Sequence, residues 1–84
     1  MTHALKTWPE FYKLVESGEK AFEVRKMDRP FKVGETLLLQ EFDNEKQEFT
    51  GNETTRVITC ILRDPKFGIK TGYCVMGLRE IEFI

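Results

Sequence analysis

Lys20, Glu23 and Arg25 place an ammonium, a carboxylate and a guanidinium within six consecutive positions of an 84-residue chain. In an extended segment side chains alternate between faces, so Glu23 and Arg25 share one face and Phe22 and Val24 share the other. Lys20 at the entrance of this strand and Arg29 just past its end add two cations within reach of the charged face. Arginine forks and a lysine point charge suit phosphate, and a carboxylate suits a base amine such as that of cytosine. Trp8, Tyr12 or Phe31 would supply the stacking face that single-strand readers require. The competing reading makes Glu23 and Arg25 a surface ion pair worth ~0 to 1 kcal/mol, with the aromatics in the core. Helical spacing favours the core for Trp8 and Phe11, and the clustering of charge favours a site for the rest.

The elements that must position these groups read as one helix followed by strands. His3 to Thr7 forms a short opening strand. Thr7-Trp8-Pro9-Glu10 matches a capping box with proline in the first turn, with either Thr7 or Trp8 as the cap. Trp8, Phe11, Leu14 and Val15 make one apolar stripe, and Ser17-Gly18 stops the helix. Ala21 to Met27 is the strand that carries the site, ended by Asp28-Arg29-Pro30. Phe31 to Glu35 turns the chain into Thr36 to Asp43, whose apolar centre predicts a strand central to the sheet. Asn44 to Gln47 is a hairpin loop, Phe49 to Asn52 a second turn, and Thr54 to Leu62 a β-branched strand. Asp64 to Gly72 reads as a loop and Tyr73 to Phe83 as the last strand, with Gly77 at a bulge or bend. The fold class is α+β, a small curled sheet or β-barrel with the early amphipathic helix packed over one end.

Composition bounds what such a chain can be. Eighty-four residues allow one domain, 1–84, with one modest core. Hydrophobic residues at 40% and charged residues at 32% are ordinary for a soluble protein, and no stretch approaches the roughly 20 apolar residues that span a bilayer. Residues 1–6 lack the pattern of a secretory signal, so the expected location is cytoplasmic, with no membrane partner. The net charge of -1 excludes a globally basic nucleic-acid binder. The distribution is uneven, since residues 1–32 hold seven Lys/Arg against five Asp/Glu and the remainder six against nine. Cys60 and Cys74 lack the spacing of a zinc or redox pair and read as buried free thiols on neighbouring strands. Nothing in the chain calls for a metal or a cofactor.

Gly18, Lys20, Glu23 and Arg25 resemble the Gly-x-Lys-x-x-Glu-x-Arg pattern of the ASCH superfamily, small β-barrels similar to the PUA domain of RNA-modifying proteins. His3-x-Leu5-Lys6, Phe22-Glu23-Val24-Arg25 and Asp28 to Glu35 resemble an uncharacterised bacterial and phage family within it. The resemblance covers residues 3 to about 42 and, more weakly, Gly72-Tyr73-x-Val75-Met76. It implies a PUA-like barrel and a cleft between helix and barrel where RNA or a modified nucleoside or nucleotide binds. The resemblance lines that cleft with Lys20, Glu23 and Arg25 and sets His3 at its edge in an orienting role; with Arg29, Lys6 and Trp8, read from the residues themselves, these make the expected ligand-binding set.

Two other function classes follow from the same residues. Some ASCH proteins are amidohydrolases on acetylated cytidine and use the motif lysine, a threonine three residues later and a distant glutamate. Lys20 matches that lysine, but Glu23 stands where the threonine would be. An enzyme would then rest on Glu23 as general base and on Lys20 or Arg25 at the oxyanion, with Glu41 or Glu80 as a second carboxylate. The third class is a protein-interaction domain that uses a sheet edge or the Asp64 to Gly72 loop, for which the sequence shows no hot-spot cluster.

Overall fold

The structure, a computed structural model, describes residues 1–81. Strand β1 (Thr2–Thr7) leads into helix α1 (Pro9–Glu16), followed by β2 (Phe22–Lys26), β3 (Thr36–Asp43), β4 (Glu48–Leu62) and β5 (Tyr73–Arg79). The strands form one curled sheet in the order β1-β3-β4-β5-β2, a half-barrel with β1 and β2 as its edges. The β1 and β3 strands pair in parallel and every other neighbouring pair is antiparallel. Interior positions alternate along each strand, from His3, Leu5 and Thr7 to Leu37 and Leu39, Ile58, and Cys74, Met76 and Leu78. With Val15 and Phe31 the apolar members of this set make the core.

Helix α1 begins at Pro9 with Trp8 as its N-cap, whose side chain makes no capping bond. The capping box read from Thr7 and Glu10 does not form, because Thr7 is the last residue of β1 and its side chain is buried inside the half-barrel. The helix stops at Ser17, and Gly18 takes φ +87°, a backbone state that favours glycine. The buried face of α1 is Tyr12 and Val15, whereas Trp8, Phe11 and Leu14 stay exposed. The core assignment of Trp8 and Phe11 is thereby corrected, since an eight-residue helix on a small sheet seals only about one row of side chains.

The longest strand departs furthest from expectation. Phe49 to Asn52 forms no turn, and β4 runs through it for 15 residues. Its register against β3 slips between Gln40 and Phe42, so Thr50, Gly51 and Asn52 lie opposite Glu41 alone. The turn-forming residues are spent on a bulge, and Thr50 Oγ1 and Asn52 Nδ2 both donate to Glu41 Oε1, at 2.7 and 3.1 Å. It is β4, and not β3, that occupies the middle of the sheet.

Strand β5 ends at Arg79, and the expected extension to Phe83 runs past the described residues. A second slip falls between Ile58 and Cys60, leaving Thr59 as the extra residue opposite Gly77. A Cβ on Gly77 would lie 2.7 Å from both Cys60 Sγ and Thr59 Oγ1, so glycine marks this bulge from the facing strand. Cys74 is buried, which raises its thiol pKa, while Cys60 is exposed. The two thiols are free and lie on opposite sides of the sheet, against the expectation that both are buried.

Candidate functional site

The Gly18 turn delivers Lys20 to the mouth of the half-barrel, where the Lys20 amide donates to the Leu14 carbonyl at 2.9 Å. Lys20 Nζ then donates to the Phe22 carbonyl at 2.8 Å and to Glu23 Oε1 at 3.2 Å. Glu23 points inward from β2 and is only 4% exposed. Its other oxygen, Oε2, accepts from Arg25 Nε at 2.5 Å. Glu23 and Arg25 share a face as strand alternation requires, but that face is the interior one. Phe22 and Val24 are the exposed pair, 45% and 53% accessible.

This inward orientation has a physical cause. Strand β2 is a sheet edge lying beside α1, and burying Glu23 there leaves neither of its oxygens unpaired, because each receives a cation. Arg25 also closes the seam between the sheet edges, with Nη2 donating to the Lys6 carbonyl of β1 at 2.5 Å and lying 3.5 Å from Thr7 Oγ1. Two cations around one carboxylate leave the cluster with a surplus positive charge.

Over this cluster lies a cleft of about 710 Å³, within the usual range for small-ligand sites. Its walls are Trp8, Phe11 and Leu14 of the helix side and Phe22 and Val24 of β2, with Glu19 at the rim and Lys20, Glu23 and Arg25 on the floor. Trp8 and Phe11 stack with ring centroids 6.3 Å apart and planes at 21°. Lys20 Nζ lies 4.8 Å from the Phe22 ring centroid. A flat ligand entering the cleft meets aromatic faces first and fixed charges below.

The predicted set divides in space. Lys20, Glu23, Arg25, Trp8 and Lys6 line the cleft. The Lys6 ammonium nevertheless sits over the Phe42 ring at 4.4 Å, so what Lys6 gives the charged cluster is its carbonyl. Arg29 lies outside the cleft beside the β1–β2 seam, with Nη1 donating to the Ala4 carbonyl at 3.3 Å. His3 is not a cleft residue. It is buried, bonds Glu35 Oε1 through Nε2 at 2.9 Å and meets the Phe31 ring edge-on at 4.8 Å. That bond, with a further one from the Lys32 amide, holds the Glu35 carboxyl below its ordinary pKa. Tyr12 and Phe31 are each 4% exposed and offer no stacking face. Phe11, Leu14, Phe22 and Val24 are the wall residues that sequence reasoning missed; for Phe22 and Val24 the signal was an apolar residue on each side of Glu23.

The second carboxylates considered for an enzyme do not reach this site. Glu41 is buried at the bulge with Thr50 and Asn52. Glu80 is exposed and lies 3.8 Å from Arg56. Beneath α1, Arg56 donates to Thr54 Oγ1 and to the carbonyls of Thr55 and Val15. Tyr12 donates to Glu16 at 2.7 Å, and its pKa is pushed up to about 12 by burial and then by Glu16. Among the described residues no group of three or more His, Cys, Asp or Glu side chains is arranged to hold a metal ion. No helix among them is long and apolar enough to cross a membrane.

Fold and cleft together define a small α+β half-barrel with a helix-walled site carrying charge on its floor. The chain belongs to the family described as a domain of unknown function (DUF3850), whose model matches residues 2–78. A search of curated proteins returned no match.

Proposed function

We propose that this protein is a non-catalytic binding module for RNA or a modified nucleotide, with a base held in the cleft between α1 and β2. The observation that carries the reading is the junction of an aromatic-walled cleft with a floor of buried Glu23 and half-buried Lys20 and Arg25, two cations on one carboxylate. Trp8 and Phe11 supply faces for stacking, Glu23 an acceptor for a base amine, and Lys20 and Arg25 donors for carbonyl or phosphate oxygens. The likeness of Gly18, Lys20, Glu23 and Arg25 to the ASCH pattern, with its PUA-like barrels, supports the same reading. Binding is favoured over hydrolysis because Glu23 stands where the hydrolase pattern has its threonine, and neither Glu41 nor Glu80 reaches the cleft as a second carboxylate.

Trp8 is the sole tryptophan and stands in the cleft wall, so its fluorescence reports on occupancy. Titration with cytidine, acetylated cytidine and a short single-stranded RNA should quench it saturably. Proton NMR of the acetylated cytidine sample should show the ligand unchanged. Release of acetate would replace the binding module with the amidohydrolase.

A further inference from the structure

A second groove of about 330 Å³ lies beside the cleft, along the seam between the two sheet edges. Its lining includes Arg25, Lys26 and Arg29, three cations against the single carboxylate of Asp28, while the ammonium of Lys6 lies over the Phe42 ring. Lys6 and Arg25 line both spaces, so the groove adjoins the cleft across that pair. In a chain of net charge -1 this is a local concentration of positive charge. Strands β1 and β2 are not neighbours in the sheet, and arginine side chains bridge them instead, Arg25 to the Lys6 carbonyl and Arg29 to the Ala4 carbonyl. Those bonds fix both guanidinium planes at the seam. They occupy Arg25 through Nε and Nη2 and Arg29 through Nη1, leaving other donors of each fork uncommitted. Lys26 is exposed and makes no ion pair among the described residues.

We infer that this seam is a phosphate track, and that the natural ligand is a single-stranded oligonucleotide whose base enters the cleft while an adjoining internucleotide phosphate lies against Arg25, Lys26 and Arg29. The inference rests on the cleft reading and narrows its ligand from nucleoside to polymer. The aromatic cleft supplies the stacking that any base satisfies, and the seam supplies the charge that only a phosphate uses. Asp28, 3.7 Å from Arg29, is the one anion a phosphate would displace there.

The test compares cytidine, cytidine 5′-monophosphate and a cytidine trinucleotide, with Trp8 fluorescence reporting the cleft and backbone amide NMR shifts at Lys26 and Arg29 reporting the seam. The expected result is a trinucleotide bound about tenfold or more tighter than cytidine, with a log Kd against log salt slope of about 0.7 per neutralised phosphate. Lys26→Gln, which removes no structural bond, should lower trinucleotide affinity about threefold and cytidine affinity less; Arg29→Gln should do so more strongly if it folds. Equal, salt-insensitive binding of cytidine and trinucleotide would overturn the phosphate track and leave the cleft reading standing. The full gain from the monophosphate would overturn the polymer and assign a terminal phosphate. Seam shifts with Trp8 unmoved would sink the cleft reading and the base-in-cleft ligand with it, leaving only an anion site at the seam, and no response at either place would sink both.

Discussion

Two groups of polar side chains are buried in this half-barrel, and they differ in how their hydrogen bonds are spent. Beneath α1, Arg56 is taken up by Thr54, Thr55 and Val15, Glu41 by Thr50 and Asn52, and Tyr12 by Glu16. Within that group the Arg56 bond to the Val15 carbonyl ties the helix to the sheet. At the cleft, two cations share Glu23, aromatic walls stand above them, and a cavity of about 710 Å³ is left open. Burial of charge is common to both. Surplus charge next to space and a stacking face belongs to one, and it is this combination that points to a ligand.

The largest expected effect falls on the sealed group. Arg56→Met should cost about 3 kcal/mol in urea unfolding, because it strands buried acceptors including the Val15 carbonyl. Ligand affinity of the folded fraction should be kept. If the variant folds normally but fails to bind, the division between the two groups breaks down.

Tyr12 sharpens the same division through pH. Its pKa is raised above the ordinary tyrosine value to about 12, so its contribution to stability is whole below about pH 10 and is lost as pH climbs through the folded value. Alkaline unfolding should show a loss on the order of 2 kcal/mol across that window. Tyr12→Phe should flatten it.

Next in size is Glu23→Gln, which removes the charge that holds Lys20 and Arg25 in place. Cytidine affinity should fall about tenfold, equivalent to about 1.4 kcal/mol, with a stability change of about 1 kcal/mol. A stability loss with affinity intact would move the cleft group into the same structural class as Arg56.

The smallest effect concerns His3 and Glu35, a pair that belongs to neither group. The Glu35 pKa is depressed in the folded state, so its contribution is present above the ordinary carboxylate range and disappears as pH falls through the folded value. Glu35→Gln should soften acid unfolding while leaving cytidine affinity unchanged, as checked by circular dichroism against pH and by Trp8 quenching.

Much of this arrangement could be read from local sequence. The Gly18 turn, the pairing of Glu23 with Arg25 on one face and the short helix all follow from spacing within a few residues. The direction of that face could not be read so. Alternation is the same for a strand and for its reverse, and the choice depends on Lys20 reaching Glu23 and Arg25 reaching a carbonyl 19 residues away. His3 and Arg29 misled for separate reasons: the resemblance that placed His3 at the cleft edge carries no direction for its side chain, which is buried beside Glu35 and Phe31, and Arg29, four residues past Arg25, lies beyond the end of β2 at the seam with β1. Residues 49–52 carry turn chemistry, and only the buried Glu41 opposite them turns it into a bulge inside β4. Trp8 and Phe11 follow the helical period of a core, yet the helix offers the sheet Tyr12 and Val15.

The central claim is that the open cleft takes a nucleotide base, and the most direct measurement is quenching of Trp8 fluorescence by a short single-stranded RNA in wild-type protein and in Glu23→Gln. Saturable quenching in the wild type, weakened about tenfold in the variant, is the predicted result. An unmoved Trp8 signal at millimolar RNA, with amide NMR spectra showing both proteins folded, would contradict the nucleotide reading.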